Sequence, residues 1–260
     1  MIYLIVFFVC FGASIIGTVC GIGGGVIIKP VLDALGVMDV TALSFLSGCT
    51  VLSMSTYSFL KNKQSSTSNK TNTAFPLAIG AACGGVAGKM MFQYILSIAS
   101  DQSKVALIQA LCLLIVTIGT LIYTIYKERI KTHRMTSAAV CVLIGIALGM
   151  LSSFLGIGGG PINLVVLFYF FSMKHKTAAE NSLYIIFYSQ LASLVQTIVT
   201  GSVPDISIGV LILMVTGGIY GGICGHVLHR KMDEKVSEKL FIGLMAAIIL
   251  INVYNIYKFM

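Results

Sequence analysis

Long apolar runs alternate with short polar stretches along the whole chain. A membrane-spanning helix needs about 20 apolar residues, and the runs predict eight such helices: residues 2–20, 41–60, 74–97, 104–126, 136–155, 178–200, 206–228 and 237–257. Two shorter apolar pieces, 26–35 and 161–172, each follow the sequence Gly-Ile-Gly-Gly-Gly. About 12 helical residues cover only about 18 Å, too little to cross the hydrocarbon layer. These pieces therefore predict half-helices or re-entrant arms.

Composition makes a bilayer the only adequate solvent for this chain. Of the 260 residues, 57% are hydrophobic and 10% are charged, and the mean hydropathy is +0.96. The apolar start could be a cleaved signal peptide, but it lacks a basic stretch and a clear cleavage site. It also has a counterpart later in the chain, so we expect it to be part of the fold. The prediction is an all-α polytopic membrane protein.

The basic residues predict the orientation of the helices. The formal net charge is +8, but no basic face or aromatic pattern typical of nucleic-acid binding is present, so a nucleic-acid partner is not expected. Lys and Arg accumulate in cytoplasmic loops, and twelve of the 17 lie in residues 61–73, 127–135, 173–177 and 229–235. The 98–103 and 201–205 loops contain aspartate and no basic residue. We expect these two loops to face outward.

The second half of the chain repeats the first. Gly-Ile-Gly-Gly-Gly occurs at 21–25 and 156–160, Thr-Ala at 41–42 and 177–178, and a Gly-Gly-x-x-Gly segment at 84–88 and 221–225. Three matches in one order indicate a duplication, with repeats at 1–130 and 131–260. The loop charges and an odd number of crossings in each half predict that the repeats are inverted. That architecture is common among secondary transporters.

The glycine-broken segments are candidates for an anion site. A break at membrane depth is tolerated only where protein or a cavity covers it, and the helix that follows presents free N–H groups and a positive dipole end. The predicted substrate-binding residues are Gly23, Gly24, Gly25, Gly158, Gly159, Gly160, Asn163, Asn181 and Ser182. The alternative is that the glycines only allow close helix packing, which we prefer for the glycines at 84–88 and 221–225.

Ionisable residues inside the apolar segments are a second indication of function. Lys29 and Asp33 lie four residues apart, so a local ion pair is favoured over a direct contact with substrate. Lys89 and His226 occupy equivalent positions, where snorkelling to an interface and substrate binding are both open. Glu180 and Asn181 lie near the start of a helix for which Thr177 is the expected cap.

No enzyme chemistry or cofactor is predicted. The seven cysteines lie in or beside apolar runs without CxxC pairs, and the four histidines are scattered, so neither a metal site nor a catalytic set is expected. The sequence contains no ATP-binding motif, so ion gradients or the gradient of the substrate must drive any transport.

The whole chain resembles the TauE/SafE family of sulfite exporters. The resemblance rests on the two Gly-Ile-Gly-Gly-Gly segments, on Thr-Ala-Ala-Glu-Asn-Ser at 177–182 and on the two Gly-Gly-x-x-Gly segments. Asn181 stands where the family often has threonine, and residues 42–46 lack the polar pair of the second half.

The resemblance implies export of a small sulfur-containing anion, such as sulfite or an organosulfonate. The expectation is a secondary transporter in a bacterial plasma membrane that works by alternating access. An anion channel of the same architecture is the alternative. The expected partners are the anion and membrane lipid, while a coupling ion and a homo-oligomer are left open.

Overall fold

The structure, a computed structural model, describes residues 2–64, 73–99 and 101–259. These residues form ten α-helices and one 3₁₀ turn, Lys127–Arg129. The helices are α1 Ile2–Cys20, α2 Gly25–Leu35, α3 Val40–Gln64, α4 Ala74–Ile98, α5 Gln102–Tyr126, α6 Ala138–Phe154, α7 Pro161–Phe171, α8 His175–Val199, α9 Ile208–Lys231 and α10 Glu234–Phe259. The predicted all-α membrane fold is confirmed, with one helix for every predicted segment.

Seven helices are long and apolar enough to cross a membrane. The eighth predicted span is α6, an apolar helix of 17 residues, close to the lower limit for a spanning helix. The two predicted half-helices, α2 and α7, have 11 residues each. At 1.5 Å per residue each covers about 17 Å, roughly half of the hydrocarbon layer.

Two predicted loops are shorter than expected because the neighbouring helices extend into them. Helix α3 continues through Gln64, so Lys61 is helical, while Lys70 lies outside the described residues. Helix α8 begins at His175, with Lys174 as its cap residue. Thr177 therefore lies inside the helix, and the expectation that it caps α8 is wrong.

Both half-helices end in caps that satisfy their last carbonyl groups. Helix α2 ends at Leu35, and the cap residue Gly36 has a φ of 62°. Lys258 Nζ donates to the carbonyls of Asp33 and Ala34 at 3.0 and 3.1 Å. At the end of α7, backbone N–H groups of the 130–137 segment donate to Tyr169 and Phe170 at 2.7 and 2.9 Å. Each half-helix can therefore end at membrane depth without unsatisfied carbonyls.

Glycines bring two pairs of long helices into backbone contact. On α4, Gly80, Gly84 and Gly88 face the backbone of α6, and on α9, Gly217, Gly221 and Gly225 face the backbone of α1. In both pairs the residue numbers increase together, so the paired helices run parallel. The structure places these glycines as the packing interpretation requires.

The contacts between helices are preserved when the two halves of the chain are exchanged. The α4–α6 pair corresponds to α9–α1, α3–α9 to α8–α4, and α2–α10 to α7–α5. The α3–α8 and α5–α10 pairs each join two equivalent helices. The two halves therefore meet through matching surfaces.

Replacing Gly84 with alanine should destabilise the bundle. The new Cβ would collide with the carbonyl of Ile146, a backbone group that cannot rotate away, so we expect a loss of about 1–3 kcal/mol. Gly243→Ala is the matched control, because this helical glycine has nothing within 4 Å of an added Cβ. Thermal unfolding of both variants in one detergent measures the effect, and equal midpoints would contradict the packing role.

Candidate functional site

The two Gly-Ile-Gly-Gly-Gly segments form the breaks between α1 and α2 and between α6 and α7. Gly23 and Gly158, at equivalent positions, have φ values of 79° and 70°. This left-handed conformation suits glycine, which has no Cβ to clash with the following carbonyl. The breaks therefore depend on glycine for their backbone path.

The breaks contact each other at the centre of the protein. A Cβ added to Gly25 would collide with the carbonyl of Ile157, and one added to Gly159 would lie 3.3 Å from the carbonyl of Ile22. A Cβ on Gly23 would lie 3.7 Å from the carbonyl of Gly158. The structure thus brings together the predicted glycines of both halves.

One face of α8 lies against both breaks. Ala179, Ser182 and Ile186 follow the spacing of a single helical face. A Cβ on Gly21 would meet Ala179, and one on Gly159 would meet the side chain of Ile186. Ser182, between these contacts, is fully buried.

The equivalent face of α3 lies against the breaks in the same way. Ser44 is the neighbour of Gly156, Val51 is the neighbour of Gly158, and Ser47 Oγ lies 2.9 Å from the position of a Cβ on Gly25. Sequence reasoning missed Ser47. Ser47 precedes Ser182 by 135 residues, the offset that separates the two glycine motifs. Aligning the two repeats at this offset would have identified Ser47 as the counterpart of Ser182.

Several buried polar side chains near the breaks have no hydrogen-bond partner among the described residues, among them Ser47, Ser182 and Asn163. Asn163 is 1% exposed, and both ends of its amide are without a partner. A buried polar group left without a hydrogen bond costs about 1–3 kcal/mol. The unused donors and acceptors are therefore suited to a polar ligand.

The amide of Asn163 lies beside a narrow pocket at the second break. The pocket is lined mainly by apolar groups, with Ser152, Gly159, Gly160 and Asn163 among its walls. It therefore combines two of the predicted glycines with one predicted polar side chain.

Asn181 is placed differently from the other predicted site residues. Its Nδ2 donates to the carbonyl of Thr177 at 2.8 Å and contacts Met173 Sδ at 3.6 Å. It is also one residue away from the α8 face that carries Ser182. The structure therefore does not bring Asn181 to the breaks.

The carbonyl groups just before the breaks have side-chain partners. Val19 O accepts from His229 Nδ1 at 2.8 Å and from Ser237 Oγ at 3.3 Å. At the equivalent position, Phe154 O accepts from Gln109 Nε2 at 2.6 Å.

At the starts of the half-helices, Ile27 and Ile28 donate their N–H groups to Gly24 O, and Asn163 donates its N–H to Gly160 O. Pro161 has no N–H, so the donors left over there, among the described residues, are the first two N–H groups of α2 and the N–H of Ile162. Neither Gly24 nor Gly160, the cap residues of α2 and α7, provides a side-chain cap.

Comparison with known proteins supplies the family. The profile of the family described as sulfite exporter TauE/SafE matches residues 6–251. The chain belongs to the TauE/SafE family. No curated protein and no solved structure matches it. TauE/SafE proteins are membrane transporters of sulfur anions, so the chain is a multi-pass membrane protein of a transporter family.

In this TauE/SafE protein, Lys29 does not form the ion pair predicted with Asp33. Its Nζ donates to Ser44 Oγ at 2.9 Å and to Gln109 Oε1 at 2.7 Å. Over the described ranges, no carboxylate oxygen lies within 4.0 Å of this ammonium group. The prediction of an i to i+4 pair failed because side chains of α3 and α5 reach the lysine instead.

The other intramembrane candidates have different surroundings. Lys89 is buried, with Nζ 5.2 Å from the centroid of the Phe92 ring. His226, its repeat counterpart, is half-buried, with its ring nearly perpendicular to that of Tyr57 at a centroid distance of 6.0 Å. Glu180 is exposed. Lys89 is thus the more deeply enclosed member of the equivalent pair.

Removing the unused hydroxyl groups should not weaken the fold. Ser47→Ala and Ser182→Ala should change the free energy of unfolding by less than about 0.5 kcal/mol, or raise it, because no protein hydrogen bond is lost. Ser55→Ala is the comparison on α3, since its hydroxyl donates to Leu52 O at 3.0 Å. Denaturation in detergent checks the result, and a loss above about 2 kcal/mol for Ser47 or Ser182 would show a structural partner.

Proposed function

We propose that the chain is a secondary transporter that exports a small sulfur-containing anion, either sulfite or an organosulfonate, by alternating access. One observation carries the proposal. The two half-helices begin at breaks that contact each other, and the buried Ser47, Ser182 and Asn163 next to these breaks have no partner among the described residues.

An anion suits the unused groups around the breaks. The first N–H groups of a helix have no partner within it, and the helix dipole makes this end positive. Helices α2 and α7 both begin without a side-chain cap. An oxyanion could therefore accept hydrogen bonds from the free N–H groups there and from the hydroxyls of Ser47 and Ser182. Glycine at 23–25 and 158–160 allows such a ligand to approach the backbone closely. Asn163 would contribute its amide NH₂ as a further donor.

The proposed architecture is a pair of inverted repeats, residues 1–130 and 131–260. Helices α1 and α9 run parallel, as do α4 and α6, and the helix contacts persist when the halves are exchanged. With five helices in each half, alternating directions would place α1 and α6 in opposite orientations. Together with the loop charges, this supports opposed repeats that meet around one central site.

Two apolar side chains are candidates for the gates that alternating access requires. Val51 and Ile186 are equivalent residues, 135 positions apart, and both are fully buried against the glycine breaks. They close the space between α3, α8 and the breaks with apolar side chains. We propose that movement of one repeat against the other withdraws one of them at a time and opens the site to one side of the membrane.

The remaining assignments follow from the transporter function. The proposed location is the bacterial plasma membrane, and the protein acts as a carrier, without enzymatic activity or a cofactor. The substrate gradient or a coupled ion supplies the driving force. A homo-oligomer is compatible with the proposal but is not needed for the site.

Flux in proteoliposomes tests the transport mechanism. Purified protein should carry sulfite with saturable kinetics, and sulfite inside the vesicles should accelerate uptake of labelled sulfite, because the loaded carrier reorients faster than an empty one. Empty liposomes and Ser55→Ala protein are the controls. Absence of this stimulation together with very high unitary flux would favour the anion channel over a carrier.

Ser47→Ala combined with Ser182→Ala tests the site. Loss of hydrogen bonds to a charged ligand costs about 1.5–3 kcal/mol each, so sulfite affinity should fall at least tenfold, by about 1.4 kcal/mol or more. The folded fraction should stay constant, and Ser55→Ala should retain its affinity. Unchanged sulfite binding in the double variant would place the anion elsewhere.

A further inference from the structure

The first glycine break folds directly onto the helix that precedes it. The carbonyl of Gly17 in α1 accepts from the N–H of Ile22 at 3.0 Å and from the N–H of Gly23 at 3.3 Å. A Cβ added to Gly17 would collide with the backbone nitrogen of Gly24. The first break therefore closes against α1 and uses two of its own N–H groups to do so.

The second break does not repeat this arrangement. Ser152 stands at the position equivalent to Gly17, and its Cβ is incompatible with so close a contact. Among the described residues, no backbone carbonyl accepts from the N–H of Ile157 or from that of Gly158. The narrow pocket lies here, with Ser152 in its wall. The second break therefore keeps an open space and free donors where the first has neither.

This pocket has one polar end and otherwise apolar walls. Helices α5, α6 and α7 and the break itself supply the apolar groups, from Val116, Leu151, Leu155, Ile157 and Ile162. An apolar space with a few placed polar groups is the usual form of a site for a small ligand. The polar end is the amide of Asn163.

Asn163 is not needed for the packing of α7. Its side chain is 1% exposed, and both ends of the amide lack a partner among the described residues. The equivalent residue in α2 is Ile28, which is fully buried. An apolar side chain therefore fills the same helical position in the first half, and the amide is an addition specific to the second half.

The unused amide indicates what kind of group it binds. An amide offers a donor at Nδ2 and an acceptor at Oδ1, so a ligand that satisfies both must bring an acceptor and a donor. An SO₃ group brings acceptors only. A hydroxyl group can donate to Oδ1, and the space in the pocket is about the size of one water molecule. A hydroxyl group is therefore the best match in size and in hydrogen bonding.

We propose that the pocket at the second break binds a hydroxyl group of the substrate anion and that Asn163 selects for it. The hydroxyl donates to Oδ1 of Asn163, and an oxygen bound to sulfur in the same anion accepts from Nδ2. This inference rests on the proposed function and narrows its substrate class. An anion without a hydroxyl leaves the buried Oδ1 unpaired, facing only acceptors.

Two kinds of sulfur anion carry such a group, and two matched pairs of probes distinguish them. Isethionate has its hydroxyl on carbon, and 1-propanesulfonate replaces that hydroxyl with a methyl group. Hydrogen sulfite has its hydroxyl on sulfur, and methanesulfinate is its methyl analogue. In one mildly acidic buffer all four are monoanions, so charge is constant within each pair.

The measurement is the ratio of dissociation constants within each pair, obtained by calorimetry on the purified full-length protein. The wild-type protein should bind the hydroxyl member of one pair at least about tenfold more tightly than its methyl analogue. The pair that shows this preference identifies whether the substrate carries its hydroxyl on carbon or on sulfur.

Asn163→Leu is the principal variant, because leucine is similar in size and the change removes no side-chain hydrogen bond formed by the described residues. Affinity for the preferred hydroxyl anion should fall at least about tenfold, while affinity for its methyl analogue should change less than about threefold. Asn252→Leu is the control. Asn252 is also buried, but its Nδ2 donates to Ile248 O within α10 at 3.0 Å, so this variant should keep the wild-type preference.

Three results would overturn the inference. Equal wild-type affinities within both pairs would mean that the pocket holds only a water molecule. An equal loss for both members of a pair in Asn163→Leu would limit Asn163 to contacts with the oxygens on sulfur. An unchanged ratio in folded Asn163→Leu would place the hydroxyl elsewhere. In each case anion binding, and with it the proposed function, would survive. If the wild-type protein neither bound nor transported any of the four anions, the proposed function would fail together with the inference.

Discussion

The structure depends on satisfying backbone polar groups where helices break inside a membrane. No water reaches the hydrocarbon to replace a lost backbone hydrogen bond. Side chains from distant helices therefore cap the carbonyls before each break, at Val19 and Phe154, and Lys258 caps the end of α2. The N–H groups at the starts of α2 and α7 have no side-chain cap. The proposed site lies where backbone N–H groups are left without a hydrogen-bond partner from a side chain.

Close helix packing connects that local constraint to the whole bundle. Helix α4 lies against α6 through glycine and also against α8 at Gly85, where an added Cβ would meet Ser189. The equivalent helix α9 lies against α1 and, at Gly222, against Met54 of α3. The faces of α3 and α8 that cover the breaks are therefore each held by a helix from the other half. A movement between the halves would change both faces, as the proposed alternating access requires.

The sequence predicted the helices and the glycine breaks well because both follow from local properties. Apolar run length determines where a helix can span, and four glycines within five residues interrupt it. Contacts between distant residues were harder. The Lys29–Asp33 pair was inferred from helical spacing, but Ser44 and Gln109 lie 15 and 80 residues away from Lys29. Asn181 was chosen for its polarity, although its position on α8 turns it away from the breaks. Ser47 became apparent only from its contact with Gly25.

The two halves share a scaffold but differ in chemistry. Equivalent positions hold Asn163 and Ile28, Lys29 and Leu164, and Lys89 and His226. In a carrier built from opposed repeats, identical halves would give inward-open and outward-open states of equal free energy. Polar and charged differences between the halves remove that equality and can give the substrate different affinities on the two sides. They cannot set the direction of net transport, because a carrier without an energy source follows the gradients of its substrate and coupled ion. The proposed export therefore requires a gradient directed outward, while the asymmetry of the proposed site would determine at which concentrations such a carrier responds to it.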